Sequence, residues 1–467
     1  MSCAGSRFHA WLAAGATVLA LVAGPALADD PAVERDAAPT PNGAGVIDGP
    51  ARSPQAAGPQ LPYDAGGGPI EAELAFRAAM EAEHHDTAVD AGHRWVDLLE
   101  QAHGSAHPAL AEPLTDVARA ERLAGHPDEA EILLLRALNL VREHGGRQSE
   151  DLLDPLVELG QTYQDMGEHT LAISTFTEAQ GLSRRLHGLL NPDQIEMING
   201  AALSLVMLGA YEEAAARQLE AFQLSERYHG TDSLDLLPAI YRHARWKRQF
   251  VQFHDERLLY VRAMRLISDQ ADEHDLRMIV PLRALVTSKR AEFGLTGHLR
   301  GGTGYPSAEQ ALRRALEIAR AQSPPTPDVE ARLLIDMGDW NMLRARRRAA
   351  LDRYAEAWEL LERERPELLP RWFDSPAVIS QPQPAWTGIH PRGSRPGLSD
   401  GVVVARYLVD ERGQARDIEI IESVPEGLKD STVTRTLQRS RFRPKIIDGE
   451  PVRADGPQYS FRFGYQP

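Results

Sequence analysis

Four columns of small residues recur along this chain at a single stride of 42. Glycine stands at 104, 146, 188 and 230, and again at 125, 167 and 209. Alanine stands at 88, 130, 172 and 214, and again at 137, 179, 221 and 263. Independent columns that share one period mark an internal repeat, which restricts the fold to units stacked on their neighbours. Between the columns, segments of 14–18 residues carry apolar side chains three and four apart, separated by short Gly, His and Pro breaks. That is the pattern of amphipathic helices. The glycines at 125, 167 and 209 each end a helix where a left-handed cap is needed. The alanines five and twelve positions later share one face of the next helix, where small side chains allow close approach.

These residues resemble tetratricopeptide repeats, in the 42-residue form of kinesin-light-chain-like arrays. Leu159, Gly160, Tyr163, Gly167, Ala172, Phe176 and Ala179 carry the likeness, and Gly338, Ala350, Tyr354 and Ala357 form a more degenerate unit. It covers residues 105–230 most fully, with partial matches over 70–104 and 327–363. Across 240–300 the glycine column lapses: Val251 stands where glycine is expected and Glu256 where alanine is. That stretch is expected to be helical but atypical. In this family the first helix of each repeat lines a groove. The resemblance therefore implies Asp154, Gln161, Gln164, Glu196 and Asn199 as groove candidates, whose acids and amides would suit a basic or polar peptide.

Beyond Gly401 the period switches to two. Val403, Ala405, Tyr407 and Val409 alternate along one expected strand, and Asp410-Glu411-Arg412-Gly413 turns the chain into a second strand over 415–422. Asp430 is placed to cap a short helix over 431–440, which Pro444 stops. A last strand over 458–465 sets Tyr459, Phe461, Phe463 and Tyr465 against Ser460, Arg462 and Gly464. The order is ββαβ. This segment resembles the C-terminal domain of the TonB energy-transducer family through Val409-Asp410-x-x-Gly413, Arg441-Phe442-Arg443-Pro444 and Gly449-Glu450-Pro451-Val452. Members pair a sheet edge with an extended segment of an outer-membrane receptor, so the resemblance implies protein partners of that type. An edge strand offers unpaired N–H and C=O groups to such a segment. The candidate edge here is Gln458, Tyr459, Ser460, Phe461, Arg462 and Phe463, whose aromatic side chains are also expected to fill the domain core.

Charge argues against nucleic acid. The chain has 51 Lys and Arg against 67 Asp and Glu, a net charge of −16. Residues 386–467 hold 13 Lys and Arg against 11 Asp and Glu, so the remainder carries −18. A nucleic-acid binder needs a basic stripe to displace counterions. Arg344, Arg346, Arg347 and Arg348 form only a short basic run, read as a solvated helix face.

Reactive motifs are lacking as well. The single cysteine, Cys3, precedes a segment expected to be removed, which leaves no thiol for disulfides or catalysis. Histidine clusters such as His84-His85-Asp86 and Glu273-His274-Asp275 lack the i, i+4 spacing that puts two imidazoles on one helix face. No nucleophile elbow or phosphate-binding loop occurs, and the glycines at 301, 302 and 304 follow no strand. Neither catalytic residues, cofactor nor metal are expected, and the chain reads as a non-enzyme.

The beginning of the sequence has export-signal anatomy. Arg7 precedes an apolar run over 11–22, and Ala26-Leu27-Ala28 provides a small-x-small cleavage site. Cleavage after Ala28 is expected; the alternative is a retained anchor, since residues 10–28 carry no charge. The expected organisation is a signal over 1–28, a Pro- and Gly-rich linker over 29–69, helical repeats over 70–300 and degenerate repeats over 301–365. A linker with seven prolines over 366–397 then leads to the TonB-like α+β domain over 398–467. Two functions fit: a cell-envelope transducer or adaptor of the TonB type, or a soluble periplasmic scaffold.

Overall fold

The computed structural model describes residues 68–298, 304–382 and 399–465. The expected export signal, nearly all of the first linker, residues 383–397 of the second and the first residue of the expected TonB-like domain, Leu398, lie outside the described residues. The chain divides into two compact units, whose described parts are residues 68–228 and 229–465.

The first unit is four helix pairs: α1 (Pro69–Glu81) with α2 (His85–His103), α3 (Ala111–Ala124) with α4 (Pro127–His144), α5 (Leu153–Asp165) with α6 (His169–His187), and α7 (Gln194–Met207) with α8 (Tyr211–His229). The sequence columns explain the pairing. Ala88, Ala130, Ala172 and Ala214 are wholly buried where the second helix of each pair meets the first. Phe176 of α6 fills the space left by two glycines. A Cβ at Gly160 of α5 would lie 2.7 Å from its ring, and one at Gly200 of α7 only 2.5 Å. One aromatic ring thus fixes the spacing of two consecutive repeats.

The turn inside each pair has left-handed backbone at one position, with φ of 91°, 79° and 77° at Gly125, Gly167 and Gly209. A backbone bond closes each, as from Glu168 N to Tyr163 O at 2.8 Å, and satisfies a carbonyl the helix end would leave open. Glu83 takes the same conformation in the first pair, φ 56°.

In the second unit, α9 (Leu237–Gln249) and α10 (Phe253–Gln270) continue the pattern. Val251 occupies the left-handed position, φ 61°, with the same closing bond from Gln252 N to Lys247 O at 2.9 Å. Glu256, in the alanine column, is fully buried and bound by Arg248 at 2.6 Å and by the Ser288 hydroxyl at 2.7 Å. A buried carboxylate is tolerable only with such partners. Next come α11 (Ile279–Thr296) and α12 (Ala308–Arg320), then the pair α13 (Pro327–Leu343) and α14 (Arg347–Glu364). There Tyr354 seats on Gly338 as Phe176 does on Gly160.

Part of the expected second linker is structured. Residues 366–373 form a 3₁₀ turn and helix α15 (Leu369–Phe373), and Ala377–Ser380 is strand β1. The C-terminal domain then runs β2 (Ser399–Val409), β3 (Ala415–Val424), α16 (Asp430–Arg439), β4 (Arg441–Arg443), β5 (Lys445–Ile447), β6 (Glu450–Val452), β7 (Ala454–Asp455) and β8 (Tyr459–Tyr465). The expected ββαβ order is present, with short strands between the helix and the last strand. In the main sheet β2 is central, antiparallel to β3 on one side and to β8 and β7 on the other. Val403, Ala405, Tyr407, Val409, Val433, Leu437, Phe461 and Phe463 make its core. At the β2–β3 turn Gly413 has φ 69°, and a Cβ there would meet the Phe442 carbonyl at 2.1 Å.

Candidate interaction surfaces

In the first unit, the first helices α3, α5 and α7 are joined by a ladder of polar side chains. Arg119 donates to Glu158 at 2.6 Å and Arg122 to Glu158 at 3.3 Å and to Gln161 at 2.9 Å. Gln161 in turn donates to Glu196 at 3.1 Å. Glu158 is buried, whereas Glu112, Asp154 and Glu196 are exposed and stand 42 apart, one acid per repeat. Burial pushes the Asp116 carboxyl above its ordinary range, against the pull of Arg119. Desolvation, with Glu158 nearby, also raises the carboxyl of Glu196, although the residue is exposed.

Of the five groove candidates, Gln161 and Glu196 belong to this ladder, and Asp154 is exposed in the acid column beside it. The structure gives the other two structural partners. Gln164 donates to Gly200 O at 2.7 Å and Ser204 Oγ at 2.8 Å, and Asn199 accepts from Gln218 at 3.0 Å. Their amides tie neighbouring helices together. Arg119, Arg122 and Glu158, whose charges are paired across repeats, were not among the candidates; the only sequence signal near them is the 42-residue acid column of Glu112, Asp154 and Glu196.

In the second unit, β8 hydrogen-bonds to β2 on one side and to no described strand on the other. Ser460 and Arg462 point outward and are exposed; Phe461 and Phe463 face the core with rings 5.6 Å apart. Tyr459, Ser460, Phe461, Arg462 and Phe463 are therefore on an edge strand, and Gln458 precedes it.

A third cluster lies where the domain meets the helices. Asp339 of α13 accepts from the Tyr354 hydroxyl at 2.8 Å and faces Arg290 at 3.5 Å and Arg443 of β4 at 3.6 Å. One helical turn away, Asp336 accepts from Arg283 at 2.7 Å. Burial alone would raise the Asp336 carboxyl, but Arg283, Arg332 and Arg290 hold it down at about 2. Arg332 lies over the Trp372 ring at 4.2 Å, and its burial among other arginines lowers its pKa to about 10.

Among the described residues, no group of three or more His, Cys, Asp or Glu is arranged to hold a metal ion, and no helix is long and apolar enough to cross a membrane.

The described chain is thus a run of paired helices followed by a small sheet with β3 at one edge and β8 at the other. Residues 391–464 match the family described as Gram-negative bacterial TonB protein C-terminal. No curated protein sequence matches the chain significantly. Among solved structures, it is similar to a kinesin light chain of Podosopora anserina with nearly identical TPR-like repeats: 15% identity, TM-score 0.36, 45% of this chain and 96% of that one. It is also similar to BtubC (BKLC) of P. vanneervenii, at 18% identity and TM-score 0.37 over 56% of this chain and 92% of that one. For the quorum sensor NprR of B. thuringiensis the values are 13% and 0.34, over 63% and 82%. The tetratricopeptide-like character of the array rests on the columns and helix pairing described above.

Proposed function

We propose that this chain is a cell-envelope protein-interaction protein of the TonB type, an adaptor or energy transducer that contacts an outer-membrane receptor through strand β8. The observation that carries this reading is the open edge of β8, in a domain matching the TonB C-terminal family. An extended receptor segment would add beside β8 through main-chain hydrogen bonds, with Ser460 and Arg462 flanking its side chains. The expected export signal supports a periplasmic site of action.

A photocrosslinking residue at Ser460 or Arg462, in cells, should capture a β-barrel outer-membrane protein. Silence from both positions would remove the receptor and leave the scaffold reading, which the polar ladder on α3, α5 and α7 favours. Sequencing the N-terminus of envelope-extracted protein should find a start near Asp29. A retained apolar segment would instead favour a membrane-anchored transducer.

A further inference from the structure

The segment that completes the C-terminal domain lies outside the residues matching the TonB family. Strand β1 (Ala377–Ser380) precedes the match at 391 and pairs antiparallel with β4, aligning Ala377 with Arg443 and Val378 with Phe442. Its side chains alternate between two cores. Val378 packs against the domain core of Tyr407, Phe442 and Phe461, while Ile379 is buried in the helical core with Leu334, Leu343 and Tyr354. Traffic also runs the other way: Ile446 of β5, a domain residue, is buried in that helical core.

Polar groups close the same seam. The Arg290 guanidinium of α11 donates to Ile379 O at 3.2 Å. The same guanidinium and Arg443 of β4 face Asp339, which Tyr354 holds. Arg443 is 7% exposed, so its charge has been withdrawn from water into contact with the helices. At the rim, Lys445 of β5 donates to Asp374 at 2.8 Å. A buried guanidinium facing a buried carboxylate, beside two interleaved apolar surfaces, is the composition of a permanent interface rather than a passing encounter.

We infer that helices α11 to α15 clamp the C-terminal domain in one pose by lending it strand β1 and seating Arg443 on Asp339, so that whatever engages the domain acts on the helical body directly. Covalent connection through residues 383–398 is then dispensable for holding the domain. This inference does not depend on β8 having a receptor: the clamp can fail while crosslinking at β8 succeeds, and the reverse.

The test is to insert a specific protease site between residues 384 and 397 of the full chain, cleave it, and follow the two pieces by size-exclusion chromatography at micromolar concentration. They are expected to co-elute, and separation would overturn the inference. In the same cleaved chain Arg443→Met should speed dissociation at least tenfold; an unchanged rate would overturn the role of Asp339. Should Arg443→Met fail to fold, the rim provides a second arm. Lys445→Glu is expected to speed dissociation a few-fold, and adding Asp374→Lys to restore it. Absence of both effects would refute this seam as the interface.

Discussion

Replacing Gly200 by alanine should destabilise the first unit, although the same change at Gly181 should stabilise it. Glycine inside a helix is worse than alanine by ~0.8–1 kcal/mol, so helix propensity alone favours the substitution. At Gly200 the added Cβ would lie 2.5, 2.6 and 2.8 Å from three atoms of the Phe176 ring, roughly 1 Å inside ordinary contact. The ring has little room to retreat, because it also packs on Gly160, where an added Cβ would lie 2.7 Å from it. Overpacking of a tight core costs about 1–3 kcal/mol, and the trapped ring argues for the upper half of that range. Net destabilisation of about 1–2 kcal/mol is expected. Gly181 of α6 is the control. A Cβ there would meet only the end of Arg185, at 3.5 Å, so Gly181→Ala should stabilise by about 0.8–1 kcal/mol. Urea unfolding followed by circular dichroism, with amide exchange of α5 to α7 to isolate the local effect, measures both. Phe176→Leu in the Gly200→Ala background should recover part of the loss, giving a coupling of about 1 kcal/mol or more. The reasoning is refuted if the two glycine changes behave alike, or if shrinking Phe176 brings no relief.

Three further outcomes are expected. Burial and the nearby Lys247 lower His243 to about 4, so it stays neutral at pH 7 in the folded chain but charges near 6.5 when unfolded. Stability of the second unit should fall as pH drops from about 6.5 towards 4, by up to ~1.4 kcal/mol per pH unit, and His243→Gln should flatten that slope in α9 amide exchange. Asp336→Asn should destabilise the second unit by about 3–5 kcal/mol, because Arg283 and Arg332 would lose a buried counter-charge. Amide exchange should quicken in α11 and α13 and stay unchanged in α1 to α7. Glu196, whose carboxyl is raised in the fold, costs stability where it is ionised; Glu196→Gln should therefore stabilise at pH 7, with the gain vanishing below about pH 4 in urea titrations.

The helical array was legible because its signal is redundant. Each alanine and glycine column reports a backbone approach or a left-handed turn, and any one of them sets the register of the rest. The C-terminal hairpin, its helix and the last strand were equally plain from period-two alternation. Strand β1 was not. Four residues between Pro376 and Pro382 carry too little pattern to distinguish a strand from a linker, and only β4, more than sixty residues away, makes them one. Strands β4 to β7 are two or three residues long and fall below any periodicity. Arg443 was visible as part of an Arg-Phe-Arg-Pro motif, yet nothing local marks it as seated on Asp339. For the groove candidates, the family resemblance put Gln164 and Asn199 on the groove-lining helices, but only the neighbouring helix decides that their amides bond to backbone and side chains there. Nothing local marks Arg119 and Arg122, whose pairing depends on Glu158 a repeat away.

Val251 shows how such an array can age. Its β-branched side chain sits at a backbone angle that glycine takes in the preceding repeats, at a cost of roughly 1–2 kcal/mol, and the turn keeps its closing bond all the same. Once both helices of a pair are anchored by their neighbours, the corner between them is dictated from outside and ceases to depend on its own letter. Such repeats can shed their recognisable signature one residue at a time while the shape persists, until the accumulated penalties approach the few kcal/mol by which a folded domain survives.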